Sequence, residues 1–270
     1  MATILIDGQP AGGVCAADRG LLYGDGVFRT LRIRGGRPLN WPTHYRLLQS
    51  DCAALALPCP EESLLLAELA RVAPGDATGR ITVTRGVGQR GYAYQLPVQP
   101  TRIVSAHPHV PIDERACADG VRVIRCQLVL GEQPRLAGVK SLNRLENVLA
   151  RAEWRDSEVR EGLLADAAGR VIEATMSNVF AVFGRRLVTP DLSRCGVRGA
   201  QRERVLELAH AAGVPVEVAD ISFAGLLDAD EVFLANSVIG VWPVSACGER
   251  AWKPGSVTRE LQALLARDDG

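Results

Sequence analysis

The 270-residue chain carries 31 Lys and Arg against 31 Asp and Glu, and 47% of its residues are hydrophobic. A formal charge of zero gives no reason to expect a nucleic acid or an anionic membrane as partner, and the apolar content suits a buried core in one large domain or two small ones. No apolar run approaches the ~18 residues of a membrane span, and the opening MATILIDGQPAGG lacks a basic flank followed by a long apolar stretch, so the expectation is a cytoplasmic protein without a signal peptide.

Short strands are expected at TILI (3–6), VFRTLRI (27–33), RITVT (80–84) and RIVSA (102–106). Between them, 43–56 keeps Leu48, Cys52, Leu55 and Ala56 at helical spacing, and 61–73 is rich in Leu and Ala. The stretch HPHVPIDERACADG (107–120), with two prolines and a cluster of acids, is the candidate linker. Beyond it come VRVIRC (121–126), a helix after Lys140, hairpin-like strands over 162–189, a helix in AQRERVLELAHAAG ending at Gly213, strands in VPVEVA and EVFLAN, and a last helix over 256–267. This pattern reads as α/β of the α+β kind, with too many hairpins for a regular doubly wound sheet. The seven cysteines have no C-x-x-C pair and an odd count, which points to reduced, mostly buried thiols. The imidazoles of His107 and His109 have no third ligand nearby, so no metal site is expected. GVGQRG (86–91) satisfies a dinucleotide fingerprint, but prolines and aromatics follow where a helix would have to open, so it reads as a turn presenting Arg90 and Tyr92.

The chain has two lysines, Lys140 and Lys253. Lys140 lies between a small-residue loop and a helical pattern in which Leu142, Leu145, Leu149 and Ala152 are spaced to bury one face, with Ser141 or Asn143 as cap. A helix N-terminus and burial both disfavour an ammonium, and a neutral amine is what Schiff-base chemistry needs. Glu173 ends a short strand and can face a ring nitrogen. CGVRGAQRERVLELA (195–209) is a glycine-containing turn opening a helix, suited to a phosphate, and Asn236 and Ser237 end a strand as further donors. Arg46 sits on a helix whose other face is apolar and can serve as a fork donor to the same phosphate. A reactive lysine, a carboxylate for a ring nitrogen and several phosphate donors together suit pyridoxal phosphate.

Taken in order, DRGLLYGDGVFRTLR (18–32), HYRLLQSD (44–51), TRGVGQRGY (84–92), LAGVKSLNRLENVLAR (136–151), VIEATMSNVF (171–180), CGVRGAQR (195–202) and NSVIGVWPV (236–244) resemble the fold-type IV pyridoxal-phosphate enzymes. That group holds branched-chain aminotransferases, D-amino-acid aminotransferases and aminodeoxychorismate lyases. Within it, RGVGQRGY and KSLNRLE look most like the lyases. Ser141 stands where many of those lyases have histidine, Leu145 where branched-chain enzymes have tyrosine, and Arg29 where glutamate or threonine is more familiar.

The resemblance implies a small N-terminal domain (1–110), a linker (111–120) and a larger C-terminal domain (121–270) holding the cofactor lysine. It implies a homodimer with active sites between the domains. Lys140 would bind pyridoxal 5'-phosphate as a Schiff base and act as acid and base. Glu173 would pair with the pyridine nitrogen, and Arg46, the amides of Val197 and Arg198, Asn236 and Ser237 would hold the phosphate. The implied reaction converts 4-amino-4-deoxychorismate to 4-aminobenzoate and pyruvate, the alternative being a D-amino-acid or branched-chain aminotransferase. Arg90, Tyr92 and Arg29, with Arg144 behind them, are the candidates for the two substrate carboxylates.

Overall fold

The mixed α/β character expected from the alternation of short strands and helices is what the chain adopts. The computed structural model describes residues 3–10, 12–109 and 111–268. The chain divides into two compact units, Met1–Pro111 with Val139–Asn143, and Ile112–Gly138 with Arg144–Gly270. No helix among the described residues is long and apolar enough to cross a membrane.

The first unit contains β1 (Thr3–Ile6), β2 (Gln9–Pro10), α1 (Arg19–Tyr23), β3 (Gly26–Arg34), β4 (Arg37–Pro38), α2 (Trp41–Ala54), α3 (Glu62–Val72), β5 (Ala77–Thr84) and β6 (Thr101–Pro108). Its strands make one antiparallel sheet in the order β2-β1-β6-β5-β3-β4. Leu48 and Cys52 of α2 and Leu65, Leu69 and Val72 of α3 share a core with Leu31, Ile33, Ile81, Val83 and Val104 of the sheet. Each such aliphatic, fully buried, contributes roughly 1.5–3 kcal/mol.

β5 occupies one edge of β3, and β4 covers only Ile33 and Arg34 on the other. The open half of that edge is taken by the lysine segment. Ser141 bridges Val27, Phe28 N–H donates to Lys140 O at 3.0 Å, and Leu142 N–H donates to Gly26 O at 2.9 Å. Pairing these backbone groups removes an unsatisfied strand edge. Lys140, expected with the C-terminal domain, therefore clusters with the N-terminal sheet.

The second unit contains α4 (Glu114–Asp119), β7 (Val121–Leu130), α5 (Leu145–Arg151), β8 (Val159–Asp166), β9 (Arg170–Ala174), β10 (Asn178–Phe183), β11 (Arg186–Thr189), α6 (Ala200–Ala211), β12 (Val216–Val218), β13 (Ile221–Ser222), α7 (Phe223–Leu227), β14 (Glu231–Asn236), β15 (Gly240–Cys247), β16 (Arg250–Ala251) and α8 (Ser256–Asp268). Its sheet runs β12-β11-β10-β14-β15-β7-β8-β9-β13, with β16 on β15. The pairs β11/β12, β15/β7 and β7/β8 are parallel. Val205 and Ala209 of α6 and Val257, Leu261 and Leu265 of α8 bury against Phe180, Val182, Phe233 and Ala235.

Two expectations change here. The proposed linker at 111–120 contains α4, because the Asp113 side chain accepts from Ala116 N–H at 3.0 Å and caps a turn that buries Ala116. The helix after Lys140 is short and not buried: Leu145, Val148 and Leu149 are 75%, 61% and 60% exposed. Neither Ser141 nor Asn143 caps it. Ser141 is committed to the bridge with Val27, and Asn143 Nδ2 donates to Gly24 O at 3.1 Å.

Candidate active site

The residues singled out from the sequence fall into two groups, one in each unit. In the first, Lys140 is half-buried and its Nζ lies 4.8 Å from the centroid of the Phe28 ring. The Arg80 guanidinium stands 3.9 Å from the same centroid, and the negative face of an aromatic ring attracts both cations. His44 and Asp51 of α2 are buried with Lys140 and Arg29 as electrostatic neighbours. Burial, reinforced by the charges of Arg29 and Lys140, pushes the His44 imidazole down to about 3, so it is neutral at ordinary pH. Burial pushes the Asp51 carboxyl up, while Arg29 and the Lys140 backbone N–H oppose that shift.

Arg29 is the clearest correction. It is 1% exposed, and its Nη2 donates to Asp51 Oδ2 at 2.5 Å and to Leu47 O at 3.4 Å. A guanidinium committed to a buried carboxylate is not available to a substrate carboxylate. Arg46, by contrast, is exposed on α2.

The glycine-rich loop is held by a residue that the sequence did not single out. Arg19 is buried, and its Nη1 donates to Gly91 O at 2.8 Å and its Nη2 to Tyr92 O at 3.2 Å. Its Nε pairs with Asp25 at 3.0 Å. Tyr23 OH accepts from Gly91 N–H at 2.9 Å, and its ring meets that of Tyr92 at 5.7 Å. On this fixed loop Arg90 is exposed and makes no hydrogen bond or ion pair among the described residues, and Tyr92 is 88% exposed. No helix opens from Gly91.

In the second unit the end of β9, the turn at 175–177, the turn at 195–199 and the end of β14 are tied together by side-chain hydrogen bonds. Glu173 is buried. Its Oε2 accepts from Val197 N–H at 2.7 Å and its Oε1 from Asn147 Nδ2 at 3.4 Å. Asn147 also donates to Thr175 O at 3.2 Å. Asn178 Nδ2 donates to Val197 O at 2.8 Å, and its Oδ1 accepts from Gly199 N–H at 3.2 Å. Glu161, fully buried, accepts from Thr175 Oγ1, from Ser177 Oγ at 2.9 Å and from Met176 N–H at 3.2 Å. Burial pushes its carboxyl up, and these donors oppose the shift.

The turn requires its glycines. Gly196 has φ +83°, and a Cβ there would lie 2.6 Å from Ile172 Cγ2; at Gly199 a Cβ would lie 2.3 Å from Asn178 Oδ1. No side chain caps α6 at Gly199. Three cofactor contacts expected here are differently employed. Val197 N–H serves Glu173, Arg198 N–H donates to Gly138 O at 3.0 Å, and Asn236 spends its side chain on Val238 N–H, Ile239 N–H, Met176 O and Ser177 Oγ. Ser237 alone keeps a hydroxyl with no partner among the described residues.

This chemistry fits pyridoxal phosphate. The Glu173 carboxyl is oriented by the neutral donors Val197 N–H and Asn147, an arrangement that suits a pyridine nitrogen. The uncapped start of α6 and the Ser237 hydroxyl suit a phosphate. The sequence could have revealed His44 and Asp51, because positions 44, 47, 48, 51 and 52 form one helical face and all are buried. Nothing local marks Asn147, Asn178 or Glu161.

The description of the class IV amino-transferases matches residues 26–247. A crystal structure of 4-amino-4-deoxychorismate lyase from Pseudomonas aeruginosa is 46% identical, with a TM-score of 0.93 over 98% of both chains. Aminodeoxychorismate lyase of Vibrio harveyi is 36% identical over 96% of this chain and 98% of its own. A putative branched-chain-amino-acid aminotransferase of Methanocaldococcus jannaschii is 32% identical over 92% and 88%.

Proposed function

The chain belongs to the class IV amino-transferase family, and on that premise we propose that it is a pyridoxal-phosphate-dependent lyase that converts 4-amino-4-deoxychorismate to 4-aminobenzoate and pyruvate. The observation that carries lyase over aminotransferase is the likeness to the Pseudomonas lyase along nearly the whole chain.

When bound, pyridoxal phosphate supplies an electron sink that acidifies the C–H bond beside the substrate nitrogen. Lys140 would hold the cofactor and, as a neutral amine, would take the proton from that carbon. Glu173, its carboxylate fixed by Val197 N–H and Asn147, would keep a proton at the pyridine nitrogen. Arg46, Ser237 and the start of α6 would hold the phosphate. Val197, Arg198 and Asn236 act one step back, by shaping the turns that carry these groups. Arg90 and Tyr92 receive substrate carboxylates. Departure of the enolpyruvyl group leaves an aromatic ring, which favours elimination over amino transfer, and Lys140 returns its proton to the departing group. The protein acts in the cytoplasm as a homodimer, whose contact would cover the exposed leucines of α5.

The test is a product assay. Purified protein with pyridoxal phosphate and freshly generated aminodeoxychorismate should form 4-aminobenzoate and pyruvate in equal amounts. Formation of a 2-oxo acid and a new amino acid from D-amino or branched-chain donors, with no 4-aminobenzoate, would establish the aminotransferase instead.

A further inference from the structure

The loop that carries Arg90 and Tyr92 runs from the end of β5 at Thr84 to the start of β6 at Thr101, with no helix or strand in it. A connection of that length without secondary structure is uncommon unless it is functional or disordered, and this one is tied down. Arg19, buried behind it, donates to Gly91 O and Tyr92 O, and its Nη1 also lies 3.4 Å from Ala93 O and 3.5 Å from Gln89 O. Gly88 passes against the arginine stem, where a Cβ would meet Arg19 Cδ at 2.9 Å. Asp25 Oδ2 accepts from Arg19 Nε at 3.0 Å and from Arg85 Nε at 2.8 Å. Arg85, also buried, donates to Leu55 O at 2.7 Å and Ala56 O at 3.2 Å, and its guanidinium stands 3.9 Å from the centroid of the Tyr94 ring. One carboxylate thus compensates two buried cations, one holding residues 89–93 and the other lying under Tyr94.

We propose that Arg19 is a positioning residue for substrate recognition: it folds residues 89–93 around its guanidinium before any ligand arrives, so that Arg90 and Tyr92 meet the substrate from a pre-set loop. This rests on the reading of Arg90 and Tyr92 as the residues that receive substrate carboxylates, but the folding of the loop does not depend on it. The carbonyls of residues 89, 91, 92 and 93 turn inward to the cation, while the side chains of Arg90 and Tyr92 stay exposed. A loop free to sample many conformers would bind less tightly, in proportion to the fraction of time it spends in the competent one. Ordering it in advance removes that cost from binding. Arg19 therefore acts through Arg90 and Tyr92.

The experiment pairs limited trypsin digestion with steady-state kinetics, on protein supplied with pyridoxal phosphate. Trypsin cuts after Arg90 only when the chain around the 90–91 bond opens. Cleavage there, followed by mass spectrometry, should be slow in the wild-type protein although Arg90 is exposed. Arg19→Met, which leaves Asp25 paired with Arg85, should speed it about 10- to 100-fold. The same variant should raise KM for aminodeoxychorismate about tenfold and hold kcat within about twofold. In an Arg90→Gln background, Arg19→Met should raise KM by less than it does alone, because it acts through the residue already removed. Three results overturn the proposal: wild-type cleavage as fast as in the variant, faster cleavage with KM unmoved, or full multiplication of the two KM effects. Should Arg19→Met fail to fold, Tyr23→Phe removes only the hydroxyl that accepts Gly91 N–H. It should give a smaller acceleration with KM raised in step, and no acceleration there counts against the clamp. Wild-type protein that resists trypsin at Arg90 yet forms no 4-aminobenzoate would end the lyase reading and leave the clamp. Lyase products from a freely cut loop would do the reverse.

Discussion

The lysine segment and the turns around Glu173 are held by different physics. Residues 139–143 are fixed mainly through their backbone, by bonds to β3. The Glu173 region is fixed mainly through side chains, in which Asn147, Asn178, Asn236 and Glu161 bind peptide groups of neighbouring turns. The contrast follows from what each must do. On the proposed reading, a lysine that holds a cofactor and moves a proton is served by an anchored backbone. A carboxylate that only has to hold one proton gains from a rigid, fully bonded setting.

The sharpest way to break this comparison is to remove the mobile group itself. Lys140→Ala should abolish lyase turnover, by about 10³-fold or more, with the fold kept as judged by circular dichroism; full activity in that variant would end the mechanism. Arg90→Gln comes next. Loss of one charge-assisted contact of about 1.5–3 kcal/mol should raise KM roughly 10- to 100-fold, with a smaller change in kcat, in steady-state kinetics.

Two further variants probe the scaffolds rather than the chemistry. Glu161→Ala strips the acceptor from Thr175, Ser177 and Met176 N–H at once, and should cost about 3 kcal/mol in urea unfolding. A cost within experimental error would mean that these turns are not held by their side chains. His44 should show itself in pH dependence. Its pKa is about 3 in the fold against 6.5 in the unfolded chain, so between these values the unfolded state binds the extra proton. Stability should therefore fall as pH drops from 6.5 toward 3, by up to about 1.4 kcal/mol per unit from this group. His44→Gln should flatten that slope in thermal melts at pH 4–7.

The strands at 3–6, 27–33, 80–84 and 102–106, and the helices over 43–56, 61–73 and 256–267, were legible because apolar periodicity is a local property. The exposure of the helix after Lys140 is not legible for the same reason. Leu145 and Leu149 carry the right spacing, but spacing does not say whether anything lies against that face, and here they stay exposed. α4 was hidden because Asp113 capping Ala116 resembles any acidic loop until its partner is seen.

The sequence by itself determined which chemical groups exist and in what order: an isolated lysine, an acid ending a strand, a glycine turn opening a helix, and an arginine in a glycine-rich loop. These are identities and short spacings, and no fold can alter them. Only the tertiary structure decided which of them are available. Arg29 is spent on Asp51, 22 residues away, and Val197 N–H on Glu173, 24 residues away, while the side chains of Arg90 and Ser237 have no partner among the described residues. Availability depends on burial and on partners distant in the chain, because a donor or a charge removed from water takes whatever the fold brings within reach.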